Sequence, residues 1–72
     1  MHIMVFKTNL EDIGLVHHAG RLLNPMSGIH RWNVDLHDSD NILRIEADPL
    51  ITPGLVEALL KNAGFECEEL AD

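Results

Sequence analysis

The chain has 72 residues, of which 46% are hydrophobic, and it carries a formal net charge of −7. This composition excludes a disordered chain, and the five scattered Lys and Arg residues exclude the clustered cations that nucleic-acid binding requires. No apolar run approaches the ~18 residues of a membrane span, and the N-terminus lacks a signal-type segment. We therefore expect one soluble, cytoplasmic domain over residues 1–72, which binds neither nucleic acid nor a membrane.

The first two predicted elements are a strand and a helix. HIMVFK (2–7) alternates between two faces, which is typical of a strand. Asn9 is the predicted N-cap of the helix that follows. Glu11 and Asp12 then fall in its first turn, where the positive end of the helix dipole favours acids.

The predicted first helix is amphipathic and ends before a proline. Pro25 fits poorly inside a helix, so we expect the regular part to end near Asn24. A single apolar stripe predicts one buried face. Its members are Leu15, Val16, Ala19, Leu22, Leu23 and Met26.

A β-hairpin is predicted next. HRWNVDL (30–36) and NILRIEA (41–47) both alternate and flank the polar turn HDSDN (37–41). Trp32 shares one face with Val34 and Leu36, and the sequence leaves open whether that face meets the helices or another subunit. If it meets the helices, the opposite face carries a polar set: Arg31, Asn33, Asp35, Arg44 and Glu46.

A second helix and a last strand complete the chain. Thr52 is the predicted N-cap, with Pro53 at the first helical position, and Gly64 suits a left-handed C-cap. The predicted buried stripe comprises Leu55, Val56, Leu59, Leu60 and Ala63. FECEEL (65–70) is the predicted last strand. The order β-α-β-β-α-β predicts an α+β, ferredoxin-like sandwich: a four-stranded antiparallel sheet with two helices on one face.

The chain resembles the heavy-metal-associated domains, the βαββαβ modules of copper chaperones and metal-transporting ATPases. The landmarks are the Gly28-Ile29 turn, the VDL triplet at 34–36, the apolar positions Leu55 and Leu59, and the AGF turn at 63–65. GRLLNPMSGI (20–29) is also similar to the end of the family's first helix. The resemblance covers nearly all of the chain and implies the same fold.

The resemblance also locates the position of the family's Cu(I) site, a GMTCxxC segment in the first loop and helix. Counting back from Gly28 without gaps places the family's Met at Leu10 and its two cysteines at Asp12 and Leu15. Cu(I) prefers soft thiolate ligands, whereas Asp12 offers hard oxygen and Leu15 offers no donor. We therefore expect the copper site to be lost and no cofactor to be bound.

Four residues are the remaining candidates for a non-standard site for copper or zinc: Asp12, His17, His18 and Cys67. The two adjacent histidines point about 100° apart on a helix, so one ion cannot use both. Their neighbours three and four residues away include no further metal ligand, which favours a solvent-facing pair. A dimer interface could still bring together ligands that one helix separates.

Two further features have both a structural and a functional interpretation. Cys67 is the only cysteine, which excludes a disulfide framework, and its place on the last strand predicts an inert buried thiol. Glu66 and Glu68 beside it are expected to disfavour the thiolate. The acidic residues Glu66, Glu68, Glu69 and Asp72 are expected to be a solvated edge, or a surface that docks on a basic partner.

Three functions are consistent with these patterns. The preferred one is a protein-interaction or regulatory module that has lost Cu(I) binding, acting through a protein partner or self-association. The alternatives are a metallochaperone with a non-standard His, Asp or Cys site, and a ligand-sensing regulatory dimer suggested by element order alone. An enzyme is not expected, because no acid/base pair, nucleophile elbow or phosphate loop is present.

Overall fold

The computed structural model describes residues 1–71, so the predicted place of Asp72 in the acidic edge lies outside the described residues. The elements along the chain are β1 (His2–Thr8), α1 (Ile13–Leu23), β2 (Ile29–Asp35), β3 (Ile42–Ala47), α2 (Pro53–Asn62) and β4 (Cys67–Glu69). The predicted order β-α-β-β-α-β is confirmed.

The four strands form one antiparallel sheet in the order β2-β3-β1-β4, so β2 and β4 are its edges. In β1, Phe6 lies opposite Leu43 of β3, and Trp32 of β2 lies opposite Ile45. Such partners share a face of the sheet. Trp32 therefore lies on the helix-covered face, which settles the alternative that the sequence left open, and the polar set that begins with Arg31 lies on the open face.

The core lies between the sheet and the two helices. β1 contributes Met4 and Phe6, and the helices contribute side chains such as Leu23 and Leu60, all buried. The residues between the buried ones in β1 point to the open face, where Ile3 is 58% exposed. The predicted ferredoxin-like sandwich, with both helices on one face, is confirmed.

The start of α1 differs from the prediction. Asp12, not Asn9, is the N-cap: its backbone is extended (φ −146°, ψ 170°), and its Oδ1 accepts a hydrogen bond from the Leu15 N–H at 2.9 Å. The reason is Leu10, which is fully buried and whose N–H donates to the Thr8 hydroxyl. The chain must first place Leu10 in the core, and the helix begins only afterwards.

The start of α2 was predicted correctly, but the burial of one of its residues was not. Thr52 Oγ1 accepts from the Leu55 N–H at 3.2 Å, Pro53 opens the helix, and Gly64 follows it with φ +93°. The expected burial of Leu55 is wrong, since 42% of that residue is exposed. Val56 and Leu60 are fully buried four positions apart and define the inner line of the helix, so Leu55 lies to one side.

Two predicted boundaries need correction. The last strand begins at Cys67, not at position 65, because the Phe65 N–H still donates to the Leu60 carbonyl and closes the end of α2. Leu36 lies beyond β2 and is 38% exposed, since Asp35 Oδ1 accepts from the His37 N–H and starts the turn. The predicted end of α1 near Asn24 is confirmed, because its last residue is Leu23 and Asn24 is the C-cap, and Met26 beyond it still packs against the core.

None of the helices formed by residues 1–71 is long and apolar enough to cross a membrane.

Candidate functional site

The loop between β1 and α1 is the place where the resembled family carries its metal. Here the Asp12 carboxylate caps the helix, and Leu15 is half-buried against the core. Between them, Ile13 is 65% exposed. The Asp12 carboxylate therefore satisfies a backbone N–H of the helix, and an exposed apolar side chain, that of Ile13, lies next to it.

Hydrogen bonds hold this loop against its neighbours. Asn9 Oδ1 accepts from the Glu66 N–H at 2.9 Å, which ties the first loop to the turn before β4. The Thr8 hydroxyl donates to the Asn41 carbonyl at 2.6 Å, which ties it to the turn before β3. Sequence patterns did not reveal either bond, because each joins residues far apart in the chain.

The adjacent histidines on α1 face different surroundings. The His18 ring meets the Phe65 ring edge-on, with centroids 5.1 Å apart and planes at 77°. His17 instead borders a groove on the side of α1 that faces β2. Both residues are exposed, as predicted, and their separation on the helix directs them away from a common ion.

Cys67 lies inside the fold, 2% exposed, on the strand that pairs with β1. Burial and, to a smaller extent, the nearby Glu57 carboxylate raise the pKa of its thiol to about 12, although Lys61 acts in the opposite direction. The sequence pattern predicted instead that Glu66 and Glu68 would disfavour the Cys67 thiolate. The side chains of Glu66 and Glu68 are exposed to solvent, whereas Glu57 on α2 reaches β4 and accepts from the Glu69 N–H.

We predict that Cys67 reacts slowly with thiol reagents in the folded protein. A rise from 9.0 to about 12 lowers the thiolate fraction about a thousandfold at neutral pH, and the thiolate is the reactive form. The rate of disulfide exchange with an aromatic disulfide reagent at pH 8, native against denatured, measures the effect. A native rate close to the denatured rate would contradict the buried position.

The same pKa predicts a dependence of stability on pH. Because the folded pKa lies above the unfolded value, the thiol's contribution to stability is complete below pH 9.0 and is lost as pH rises toward about 12. Urea unfolding should therefore show a lower midpoint at pH 10.5 than at pH 8. The difference between the two midpoints should be smaller in the Cys67→Ala variant. An equal difference in both chains would mean that other groups cause the loss.

The four predicted metal candidates do not converge. Asp12 caps α1, His17 and His18 lie on different sides of that helix, and Cys67 is buried in β4. Across residues 1–71, no group of three or more His, Cys, Asp or Glu side chains could hold one metal ion. The donors at the first loop also do not fit Cu(I), since a carboxylate and an alkyl group replace two thiolates.

A groove of about 390 Å³ lies between α1 and the edge strand β2. The Trp32 indole forms its floor, and its Nε1–H donates to Asn24 Oδ1 at 2.7 Å. Gly20 allows this packing, because a Cβ there would lie 3.1 Å from Trp32 Cζ2. The sequence indicated Trp32 as a core or interface residue but carried no signal for its bond to Asn24.

Adding a methyl group at Gly20 is predicted to disturb Trp32. Alanine improves helix propensity by up to about 1 kcal/mol over glycine, but at Gly20 the overlap with the indole offsets this gain. Gly54→Ala in α2 is the matched control, since a Cβ there meets nothing within 4 Å. We expect Gly54→Ala to be neutral or stabilising, and Gly20→Ala to be less stable than it, with altered tryptophan emission. Equal stability and unchanged emission would contradict this packing.

The architecture is that of a small α+β domain with one helix-covered face and one open face. No protein-family model and no curated protein sequence matches the chain, whereas solved structures match it over nearly its whole length. A copper transporter domain of yeast, Ccc2a, has a TM-score of 0.84 at 16% identity, covering 100% of this chain and 99% of its own. A copper-binding domain of the P-type ATPase HMA7 has a TM-score of 0.83 at 22% identity, covering 99% and 96%.

A third similar structure belongs to a complex, that of Atx1, Cu(I) and Ccc2a. It has a TM-score of 0.85 at 16% identity and covers 100% of this chain and 99% of that one. At these identities the likeness concerns the fold. The chain therefore has the fold of the heavy-metal-associated domains, as the sequence resemblance predicted, without the pair of cysteines at its first loop.

Proposed function

We propose that this protein is a non-enzymatic, protein-binding module of the heavy-metal-associated fold that does not bind Cu(I). The proposal rests on the structural roles of the Asp12 and Leu15 side chains. The Asp12 carboxylate caps α1, and the Leu15 side chain packs against the core. Both residues thus have structural roles at the two positions where the resembled family holds its thiols.

Partner binding is the part of the family's behaviour that this chain can retain without thiols. A domain of this fold is part of the Atx1–Cu(I)–Ccc2a complex, in which two proteins meet. This chain keeps exposed apolar side chains for such contacts, including Ile13 beside the first loop at 65% exposure. A cytoplasmic location, expected from the sequence, is part of the same proposal.

A competition titration with a chromogenic Cu(I) chelator, under reducing and anaerobic conditions, tests the loss of copper. We expect the protein to leave the chelator's copper complex intact at equal concentration. A tight site of one Cu(I) per chain would overturn the proposal. Repeating the titration with Cys67→Ala and with His17→Ala would then identify the donor, because loss of the site requires loss of a ligand.

A further inference from the structure

The edge strand β2 is long and unpaired on one side within the described part of the chain. It spans Ile29–Asp35, whereas the opposite edge, β4, has only three residues. Proteins usually keep exposed edge strands short or interrupt them, because unpaired backbone groups attract another strand. A register shift interrupts β2 between Ile29 and Arg31, which leaves residues 31–35 as its regular part.

The pairing pattern identifies the backbone groups that face outward from β2. The Leu70 N–H donates to the Val5 carbonyl, so Val5 directs its backbone groups toward β4. Antiparallel strands alternate the side to which successive residues direct these groups. Val5 pairs with Arg44 of β3, and Arg44 pairs with Asn33 of β2. The alternation therefore directs the backbone N–H and C=O of Asn33 toward β3. It directs those of Trp32 and Val34 outward, away from the sheet.

The regular part of β2 is self-complementary when a second copy runs antiparallel to it. With Asn33 facing Asn33 of the second copy, Arg31 of each copy lies opposite Asp35 of the other. Trp32 likewise lies opposite Val34, as a pair joined by backbone hydrogen bonds, and the charged pair occupies the closer, non-hydrogen-bonded position. The two Arg–Asp pairs are arranged symmetrically about Asn33, which is also the middle residue of the regular segment 31–35.

The side chains in this pattern are free to make those contacts. Arg31 is 75% exposed, and its Nε is 3.9 Å from Glu46 Oε2, a long contact at the surface. Asp35 is exposed, and its Oδ1 accepts only a turn N–H. Shifting the register by two residues would remove both Arg–Asp pairs, so charge selects one alignment. Opposite charges across strands stabilise a pair, and like charges destabilise it.

We propose that the protein self-associates through β2, forming one continuous antiparallel sheet across two copies, with Arg31 of each copy paired with Asp35 of the other. The proposal deepens the proposed function by naming a second copy as one partner. It uses a different surface from the first loop, so the two proposals can fail separately. The net charge of −7 on each copy opposes association at long range, and salt screens that repulsion.

Sedimentation velocity over a concentration series, without metal and at about 0.15 M salt, tests the pairing with two charge reversals. Arg31→Asp places Asp opposite Asp35, and Asp35→Arg places Arg opposite Arg31, so each variant alone repels its own copies. We expect each to dimerise at least about tenfold more weakly than the natural chain. An equimolar mixture restores two opposite-charge pairs, so its dimerisation should return to the natural level. Circular dichroism and thermal midpoints establish that each variant folds.

Amide hydrogen exchange in the natural chain tests the same alignment without a substitution. Protection of the Trp32 and Val34 amides should rise with protein concentration, whereas the Asn33 amide, bonded to β3, should be protected at every concentration. A chain that stays monomeric, reversals that leave dimerisation unchanged, or a mixture that fails to restore it would overturn the proposal. A monomeric chain would leave the copper titration's outcome standing, and a tight Cu(I) site would leave the dimer standing.

Discussion

Replacing Asp12 and Leu15 together by cysteine is expected to create a site for one Cu(I) per chain, which the proposed function says the natural chain lacks. Asp12 precedes α1 and Leu15 lies three residues further on, in its first turn. Residues at that spacing lie on the same side of a helix. The helix N-terminus also lowers the pKa of a thiol, which favours the thiolate that binds soft Cu(I). A chelator competition titration of the double variant measures the gain.

The matched control is the Asp12→Ser, Leu15→Ser variant. Serine has nearly the size of cysteine and is a good N-cap, so this chain keeps the helix start but offers no thiolate. Its affinity for Cu(I) should equal that of the natural chain. If the cysteine variant bound Cu(I) no better than the serine variant, the first loop would have lost the geometry of the fold's metal site as well as its thiols.

Truncating Phe6 to alanine is expected to remove most of the stability of the domain. Phe6 is fully buried in β1, one of the two inner strands of the sheet, where it pairs with Leu43 and faces the helices. Removing a buried phenylalanine side chain costs about 3–5 kcal/mol, and a chain of this length has a total of roughly 4–11 kcal/mol. Urea unfolding followed by circular dichroism should show a much lower midpoint, or a chain that is unfolded in buffer.

Ile3→Ala provides the control for this loss on the same strand. Ile3 points to the open face and is 58% exposed, so its truncation should change the free energy of unfolding by no more than about 0.5 kcal/mol. Similar losses for Phe6→Ala and Ile3→Ala would contradict the assignment of the two faces of the sheet.

Periodicity predicted the fold because each element has one apolar face. The alternation in HIMVFK fixed the side of β1 that meets the core, and Thr52 with Pro53 fixed the start of α2. The start of α1 was predicted incorrectly because two polar residues could both cap it. The burial of Leu10, which decides in favour of Asp12 over Asn9, is a tertiary effect that local patterns do not contain.

The surroundings of the candidate site could be predicted only in part. The absence of cysteine at positions 12 and 15 is visible in the sequence, as is the tendency of a lone thiol on a strand to be buried. The influence of Glu57 on Cys67 and the bond between Trp32 and Asn24 depend on packing between separate elements. The self-complementary pattern of β2 was present in the sequence, but only the strand order reveals that β2 is an edge.

Native mass spectrometry with and without Cu(I), under reducing conditions, tests the central claim most directly, because it reads metal stoichiometry and assembly in one spectrum. The proposed function predicts that added Cu(I) leaves the mass of each species and the ratio of monomer to dimer unchanged. The Asp12→Cys, Leu15→Cys variant should gain the mass of one copper ion per chain under the same conditions. Retention of one Cu(I) per natural chain, or a dimer that forms only with copper, would contradict the claim that this protein is a binding module without a copper site.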